Sequence, residues 1–572
     1  MRSLLLALTI LCCLLVATEA QTLECVQTGL NIGISINLLG FSVDCPNGLV
    51  FETSGSVSIS NAEISAASIS IQAGGDVSIS DLTLNSDSSV SVTGESFELT
   101  NTEINASQDI SLDTEGNIIT IGTQLSSDTG DITVNGRFLS ADSMDLVGRN
   151  INLNNVADEL LSTCEFDPIT AIESGFDGVT IPSGGIFMIN SRVTFDSLTI
   201  NAQSIDCTAL FVNNLEELPN SSESSVDITV SLSSTETEPA MIVADSSVVH
   251  SNWNVNVTST AGGLRLLNNE SPVQFTGSLS LNTNSEADWG LFIDSPVVFL
   301  NTVGTIDVTS NSDSTAFLMT GDVNLGNSDL AITVSQQGTN ANGIELRQRF
   351  AIEDSQLSVD ASVESEGTAI AAKFDGDMEL SNQSTVTING EIFGANLNAA
   401  TSYAISLDAV TVSDTSSLII NEDLNDVTQR TELGEETLRN LFADNVISAS
   451  HDATLELNIA TFESTAIRTS AGNSLDIENA VLNIGVQSDS SVQVFADNGL
   501  GESTFNLFNS VLDITVLVAD TAQNTGENVA IFANDLALIL TDSAMNVVMD
   551  ASQNAEAVVA ENAELIRSTV SM

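Results

Sequence analysis

Positive charge is what this chain of 572 residues has least of: 12 Lys and Arg stand against 77 Asp and Glu, a formal net charge of −65. Nothing in it could neutralise a run of phosphates, which excludes nucleic acid as a partner and disfavours a hold on anionic lipid. Proton-transfer groups are few as well: two histidines, His250 and His451, one lysine, Lys373, and one tyrosine, Tyr403. Proline (7 residues) and aromatics (4%) are scarce. Beyond residue 20 no segment strings together the roughly eighteen uncharged apolar residues of a membrane span. Ser571 and Met572 follow no hydrophobic tail, so neither a span after signal removal nor a GPI anchor is expected. What is present argues for a folded chain. Hydrophobic residues make up 42% and the mean hydropathy is +0.20, too apolar for acidic disorder.

Residues 1–20 read as a secretory signal peptide, so a secreted, extracellular location is expected. Arg2 gives the positive end, Leu4 to Ala17 the apolar run, and Thr18 and Ala20 the small residues before a cut at Gln21. Cleavage leaves Cys25, Cys45, Cys164 and Cys207 of the six cysteines. An even number in an exported chain points to two disulfides, and proximity in sequence favours Cys25–Cys45 and Cys164–Cys207. No pair has CxxC spacing and neither His is near, so a metal site is not indicated. Asn105, Asn220, Asn256, Asn269 and Asn382 each begin an Asn-x-Ser/Thr sequon, the acceptor sites expected of a glycoprotein.

The strongest signal is an internal repeat. Residues 55–74 read GSVSISNAEISAASISIQAG, residues 75–94 GDVSISDLTLNSDSSVSVTG, and residues 95–115 ESFELTNTEINASQDISLDTE. Each block carries short runs that alternate apolar residues with Ser or Thr, as in Val57/Ile59, Val77/Ile79 and Phe97/Leu99. Alternation at period 2 means strands buried on one face. Three such strands in about 20 residues, without hairpin turns, fit one coil of a parallel β-helix, each strand pairing with its equivalent one coil on. Asn61, Asp81, Asn101 and then Gly122 fall at the same phase, and all tolerate the left-handed backbone that a tight bend needs. Stacked Asn side chains can also hydrogen-bond along the axis.

Later the period lengthens to about 26. Runs start at GLRL (263–266), GLFI (290–293), AFLM (316–319), GIEL (343–346) and AIAA (369–372), and second strands end at Asn301, Asn327, Asp354 and Asn382. The expected organisation is a signal peptide (1–20), an N-terminal cap (21–48), a β-helix with ~20-residue coils (49–156), irregular coils holding the second Cys pair (157–239), and a β-helix with ~26-residue coils (240–572). Within the last, residues 422–445 look helical, because Leu438, Leu441 and Phe442 fall at i, i+3 and i+4. The fold class is therefore all-β, a parallel three-strand solenoid, or β-helix, with an N-terminal cap and a short helical insertion.

These coils resemble the right-handed parallel β-helices of the pectin-lyase-like superfold, which implies a right-handed solenoid, and the 20-residue blocks are most similar to the shafts of secreted filamentous-haemagglutinin-type adhesins. The resemblance implies a structural or adhesive role. Some members of the superfold cleave acidic polysaccharides, but the Asn-Thr-Asp, Gly-His-Gly and Arg-Ile-Lys strings of polygalacturonase-like enzymes do not occur. Glu345, Arg347, Arg349 and Asp354 form the one cluster with the residue types of a lyase, and they are expected to be an ion-pair patch. No catalytic residue and no cofactor is assigned; Asp- and Asn-rich loops hold Ca²⁺ diffusely through charge. The function expected is a secreted, non-enzymatic, acidic β-solenoid of an extracellular matrix or surface, facing polysaccharide, mineral or other matrix proteins. The alternative is a polysaccharide-active or carbohydrate-binding β-helix protein. End-to-end self-association is also expected, through a last coil in which Val558, Leu565 and Val570 face no further strand.

Overall fold

A computed structural model describes residues 22–24, 30–31, 36–40, 42–46, 48–155, 185–205, 208–234, 239–244, 246, 249–268, 272–393, 403–423, 438–443, 447–450, 453–461, 464–469, 474–488, 492–497, 503–518, 528–550 and 555–572. Every regular element among them is a strand, from Thr22–Glu24 to Thr569–Ser571. The strands pair in parallel with the equivalent strand of the next coil, which makes the architecture a parallel β-helix. Two compact units divide the chain, Met1–Ser233 with Val243–Ser247, and Ser234–Ile242 with Val248–Met572.

In the first unit the strands stack in register residue by residue, with a step of 20 in the first coils and of 19 to 22 in the next. Val57, Val77, Phe97 and Ile118 face one another along one sheet. Ile64, Leu84, Ile104, Leu125, Leu146 and Val193 do so along a second. Ile69, Val90, Ile110, Ile132, Ile151 and Leu198 complete the triangle. All are buried, each contributing about 1.5–3 kcal/mol of apolar burial. The described strands of the expected cap belong to this ladder too. Thr22–Glu24 pairs with Ser42–Cys45, Leu30–Asn31 with Leu49–Thr53, and Ile36–Leu39 with Val57–Ala66. Coils resume after the undescribed 156–184, where Gly185–Ile189 stacks on Phe138–Asp142 and Leu210–Asn213 on Gly185–Ile189. Here alternation fails in the sequence because both faces are covered. The outward Phe187 and Phe211 stack at 5.8 Å and are as buried as the inward Ile186 and Leu210.

In the second unit Leu264, Leu291, Phe317, Ile344, Ala372 and Ile405 line one sheet. Ile306, Ile332, Val359, Ile388, Ile420, Leu457, Ile484 and Ile514 line another.

The bends have two chemical parts. The first is a residue in the left-handed region: Asn61, Asp81, Asn101, Gly122, Ser143, Asn190 and Asn214 in the first unit. Asn301, Asn327, Asp354, Asn382, Asn479, Asn509 and Asp542 play that part in the second. Their side chains form the expected ladder, with Asn101 Nδ2 donating to Asp81 Oδ1 (3.2 Å), Asn327 to Asn301 (2.6 Å) and Asn509 to Asn479 (2.7 Å). The second part was not anticipated from sequence. A buried hydroxyl near the bend accepts the backbone N–H of the equivalent residue one coil earlier. Ser328 Oγ takes Thr302 N–H (3.0 Å), Ser355 Oγ takes Ser328 N–H (3.0 Å), Ser384 Oγ takes Ser355 N–H (3.3 Å), and Ser416 Oγ takes Ser384 N–H (3.1 Å). The left-handed step turns these N–H groups away from the sheet ladder, and burial then demands another acceptor.

One reading is corrected. The helical insertion is not formed where it can be seen: Leu438, Leu441 and Phe442 lie on the strand Leu438–Ala443, with Leu441 between Ile405 and Ile467. Three apolar residues in six satisfy a helical pattern by chance, and pairing with coils on both sides decides the conformation. Residues 424–437 lie outside the described residues. In the run AIAA, Ala372 is buried opposite Ile344, while Ile370 is half-buried opposite Asn342.

Candidate functional site

Of the cluster singled out from sequence, Glu345 lies on the strand Ala341–Leu346, where register sets it beside Lys373 of Ala369–Phe374, while Arg347, Arg349 and Asp354 lie in the bends that follow. Glu345 is the buried member, its side chain 10% exposed. Arg347 Nε donates to Glu345 Oε1 (3.1 Å), Lys373 Nζ lies 3.4 Å from the same oxygen, and Thr315 Oγ1 lies 3.4 Å from Oε2. Lys373 also pairs with Asp375. Burial alone would raise the Glu345 carboxyl, but the Arg347 hydrogen bond and the charges of Lys373 and Arg347 outweigh it and hold it below the usual carboxylate range. Burial opposes the charge on Lys373, yet Asp375 and Glu345 together raise its pKa. Arg349 does not join. It turns to Glu379, and Asp354 sits at a left-handed bend. The cluster is thus a set of mutually neutralised ions on a sheet face.

The sequons differ in their surroundings. Asn220, Asn256 and Asn382 are exposed, and Asn382 Nδ2 donates to Glu353. Asn105 is half-buried, with Nδ2 donating to Asn85 Oδ1 (3.1 Å) and Glu103 Oε1 (2.8 Å). Asn269 lies outside the described residues. Cys45 is fully buried at the end of Ser42–Cys45 and is disulfide-bonded; Cys25, Cys164 and Cys207 lie outside the described residues, as does His451. His250 is buried against Trp253 and Phe275, at 4.2 and 5.6 Å between ring centroids. Among the described residues no group of three or more His, Cys, Asp and Glu is placed to hold a metal ion.

A second locality escaped the sequence reading. In the first unit an open groove of about 290 Å³ is lined by Ser143, Asp145, Asn190, Arg192, Asn214 and Glu216, with Met144 and Ser191 beneath. Register stacks Asp145, Arg192 and Glu216 on successive coils. Arg192 Nε donates to Glu216 Oε2 (2.9 Å), and Asn214 Nδ2 to Asn190 Oδ1 (2.9 Å). The hydrogen bond that Arg192 donates to Glu216, then the charges of Glu216 and Asp145, raise the Arg192 pKa. Because Arg192 spends its Nε on Glu216, Asp145 keeps a buried oxygen, Oδ1, with no hydrogen-bond partner. A sequence signal existed: each of the three charged residues stands two places after a left-handed bend residue, Ser143, Asn190 and Asn214. The long interval between Asp145 and Arg192, filled by 156–184, hid the alignment.

No protein family, curated protein or solved structure matches the chain.

Proposed function

We propose that this chain is a secreted, acidic, non-enzymatic β-solenoid serving as a structural or adhesive component of an extracellular matrix or surface, comparable to the shafts of filamentous-haemagglutinin-type adhesins. The observation that supports it best is the division between inward and outward columns. Core positions are mostly Val, Ile, Leu and Phe, while outward ones are mostly Ser, Thr, Asn and acids under a net charge of −65. Such a coat resists non-specific association and repeats its chemistry coil after coil. Polysaccharide, mineral or other matrix proteins are its partners in this reading, with Ca²⁺ held diffusely. Its disulfides are Cys25–Cys45 and Cys164–Cys207. Fractionation of the source tissue or culture tests the role, with the protein expected in the extracellular matrix or on the surface. Retention inside cells, or release of sugar products from polysaccharide with or without Ca²⁺, contradicts it. The second reading, carbohydrate binding, is favoured by one observation, the open polar groove of the first unit with its exposed Arg192 and Glu216.

A further inference from the structure

The geometry points to the outward strip of Arg265, Trp289 and Phe292 in the second unit as a stacking platform for a neutral pyranose, which gives the adhesive reading above, on which it rests, a ligand class. Trp289 and Phe292 are both partly exposed, with ring centroids 5.2 Å apart. The Arg265 guanidinium lies 4.8 Å from the Phe292 centroid and 5.8 Å from that of Trp289. Trp253, the other tryptophan, is packed in the core. The turn that carries Trp289 is held in place beforehand. The Asp288 carbonyl accepts from Ser285 Oγ (2.9 Å) and Ser310 Oγ (2.8 Å), and Asp288 Oδ1 accepts from Ser314 Oγ (3.0 Å). The Trp289 carbonyl accepts Gly263 N–H (2.9 Å) from the coil before. Binding therefore orders few groups.

Accessible donors and acceptors rim the rings. Arg192, Arg347, Arg349, Lys373 and Arg567 each hold a carboxylate oxygen within 3.1 Å. Arg265 does not: its ion pair among the described residues, to Asp294 Oδ2, spans 4.0 Å. Its Nε is buried, whereas the two Nη groups make no hydrogen bond and keep solvent-accessible surface. Asp294 is 47% exposed; Thr320 Oγ1 donates to its Oδ1 (2.5 Å), and Oδ2 is left open. A pyranose can lay a C–H face on the indole while its rim hydroxyls accept from Nη and donate to Oδ2. Extent favours a sugar over a protein. Register runs from Arg265 through Phe292 to Leu318 and then meets the Glu345–Lys373 ions, so the strip spans two coil steps, ~10 Å, far short of the ~800 Å² per partner of a stable protein interface. Charge selects the kind of sugar, since Asp288 and Asp294 flank the platform and repel a uronate or a sulfate ester.

The test uses the full secreted chain and three readouts. Acrylamide quenching of fluorescence reads Trp289, because Trp253 is 2% exposed. Saturation-transfer NMR with cellobiose, lactose, mannobiose and digalacturonate measures binding, and co-sedimentation with insoluble cellulose, chitin and mannan measures adhesion as a whole. At least one neutral disaccharide should shield Trp289 and receive transfer, and digalacturonate should do neither. Binding should weaken about tenfold or more in Trp289→Ala and in Arg265→Met, which keeps an apolar stem over Phe292, and stay within about threefold in Trp289→Phe, which keeps a ring. Absence of shielding and transfer with every neutral disaccharide, or binding unchanged in Trp289→Ala, overturns the platform. Shielding of Trp289 by a matrix protein and by no sugar overturns it too, in favour of a protein-docking strip. If the chain still sediments with a polysaccharide and the variants do so equally, the platform fails while the adhesive reading stands.

Discussion

Replacing Ser384 by Ala removes one rung of the hydroxyl ladder and little else. The side chain is fully buried, and its Oγ accepts Ser355 N–H at 3.3 Å while its one O–H proton lies between the carbonyls of Ser381 (2.6 Å) and Ile352 (3.1 Å). In Ser384→Ala the void is one oxygen, too small for a large cavity effect, but the Ser355 N–H is left buried without that acceptor. An orphaned buried donor of this kind costs about 1–3 kcal/mol, so we expect a loss of about 2 kcal/mol. A solenoid is stabilised mainly between neighbouring coils, so the loss should be local. Amide hydrogen exchange is the fitting assay: 2 kcal/mol corresponds to roughly thirtyfold faster opening at Ser355 and its neighbours. Coils around Val57 should keep their protection. Ser335→Ala on the exposed face should change exchange by no more than about 0.5 kcal/mol. If Ser384→Ala exchanges like that control, the Ser355 N–H has another partner and the ladder does not support the bend.

Glu345→Gln should destabilise the second unit at neutral pH by about 1–3 kcal/mol, below the full penalty for breaking a buried pair because Arg347 and Lys373 are half-exposed. Since the Glu345 carboxyl lies below its ordinary value, its stabilisation is full above pH ~4.3 and is lost as pH falls through the lower folded value; melting between pH 2 and 7 should be flatter in Glu345→Gln, and equal slopes would refute the coupling. The Lys373 contribution, from a raised pKa, persists through neutral pH and fades only as pH rises through that raised value. In a eukaryotic secretory host, glycopeptide mapping should find Asn220, Asn256 and Asn382 occupied above Asn105, because a glycan on Asn105 must break one of its two amide bonds; full occupancy at Asn105 would contradict that. Leu565, in register with the fully buried Leu540, is 54% exposed, so sedimentation should show association that rises with salt or Ca²⁺ and is suppressed by Val570→Lys; a monomer throughout rejects it.

The fold was legible because one signal, alternation at period 2, was repeated with bend residues in phase. Asn61, Asp81, Asn101, Asn301, Asn327, Asp354 and Asn382 all occupy left-handed bends, and a left-handed requirement narrows residue choice enough to be read from sequence. Apolar character alone narrows it less. Alternation would set Ile370 and Ala372 on one face, yet the burial pattern shifts between Ala371 and Ala372, and pairing with the adjacent coil buries Ala372 opposite Ile344 while Ile370 stays half-buried. The strand at Leu438–Ala443 was misread for the same reason, since six residues cannot distinguish a 3.6 from a 2.0 period. The Ser355 and Ser384 hydroxyls look like surface residues in sequence, and their burial follows from the bend beside them. For the sites, Glu345 and Arg347 were close in sequence and visible, whereas Asp145 and Arg192 meet only through register across a 156–184 interval. Pairing across coils is the information a linear reading lacks.

The central claim is that consecutive coils stack in register as interchangeable units, and a pair of deletions tests it most directly. Removing residues 75–94 joins Gly74 to Glu95 and leaves three residues between Ala73 and Phe97, as there are between Ala73 and Val77. Phe97 can then take the place of Val77 above Val57, and Ile104 that of Leu84 above Ile64. Removing residues 75–84 takes out half of that coil, including the strand residues Val77, Ile79, Leu82 and Leu84, and puts the remainder out of phase. Hydrogen exchange across residues 57–136 should show the first deletion protected like the full chain and the second unprotected around the cut. Equal protection, or equal loss of it, in the two deletions would contradict the account.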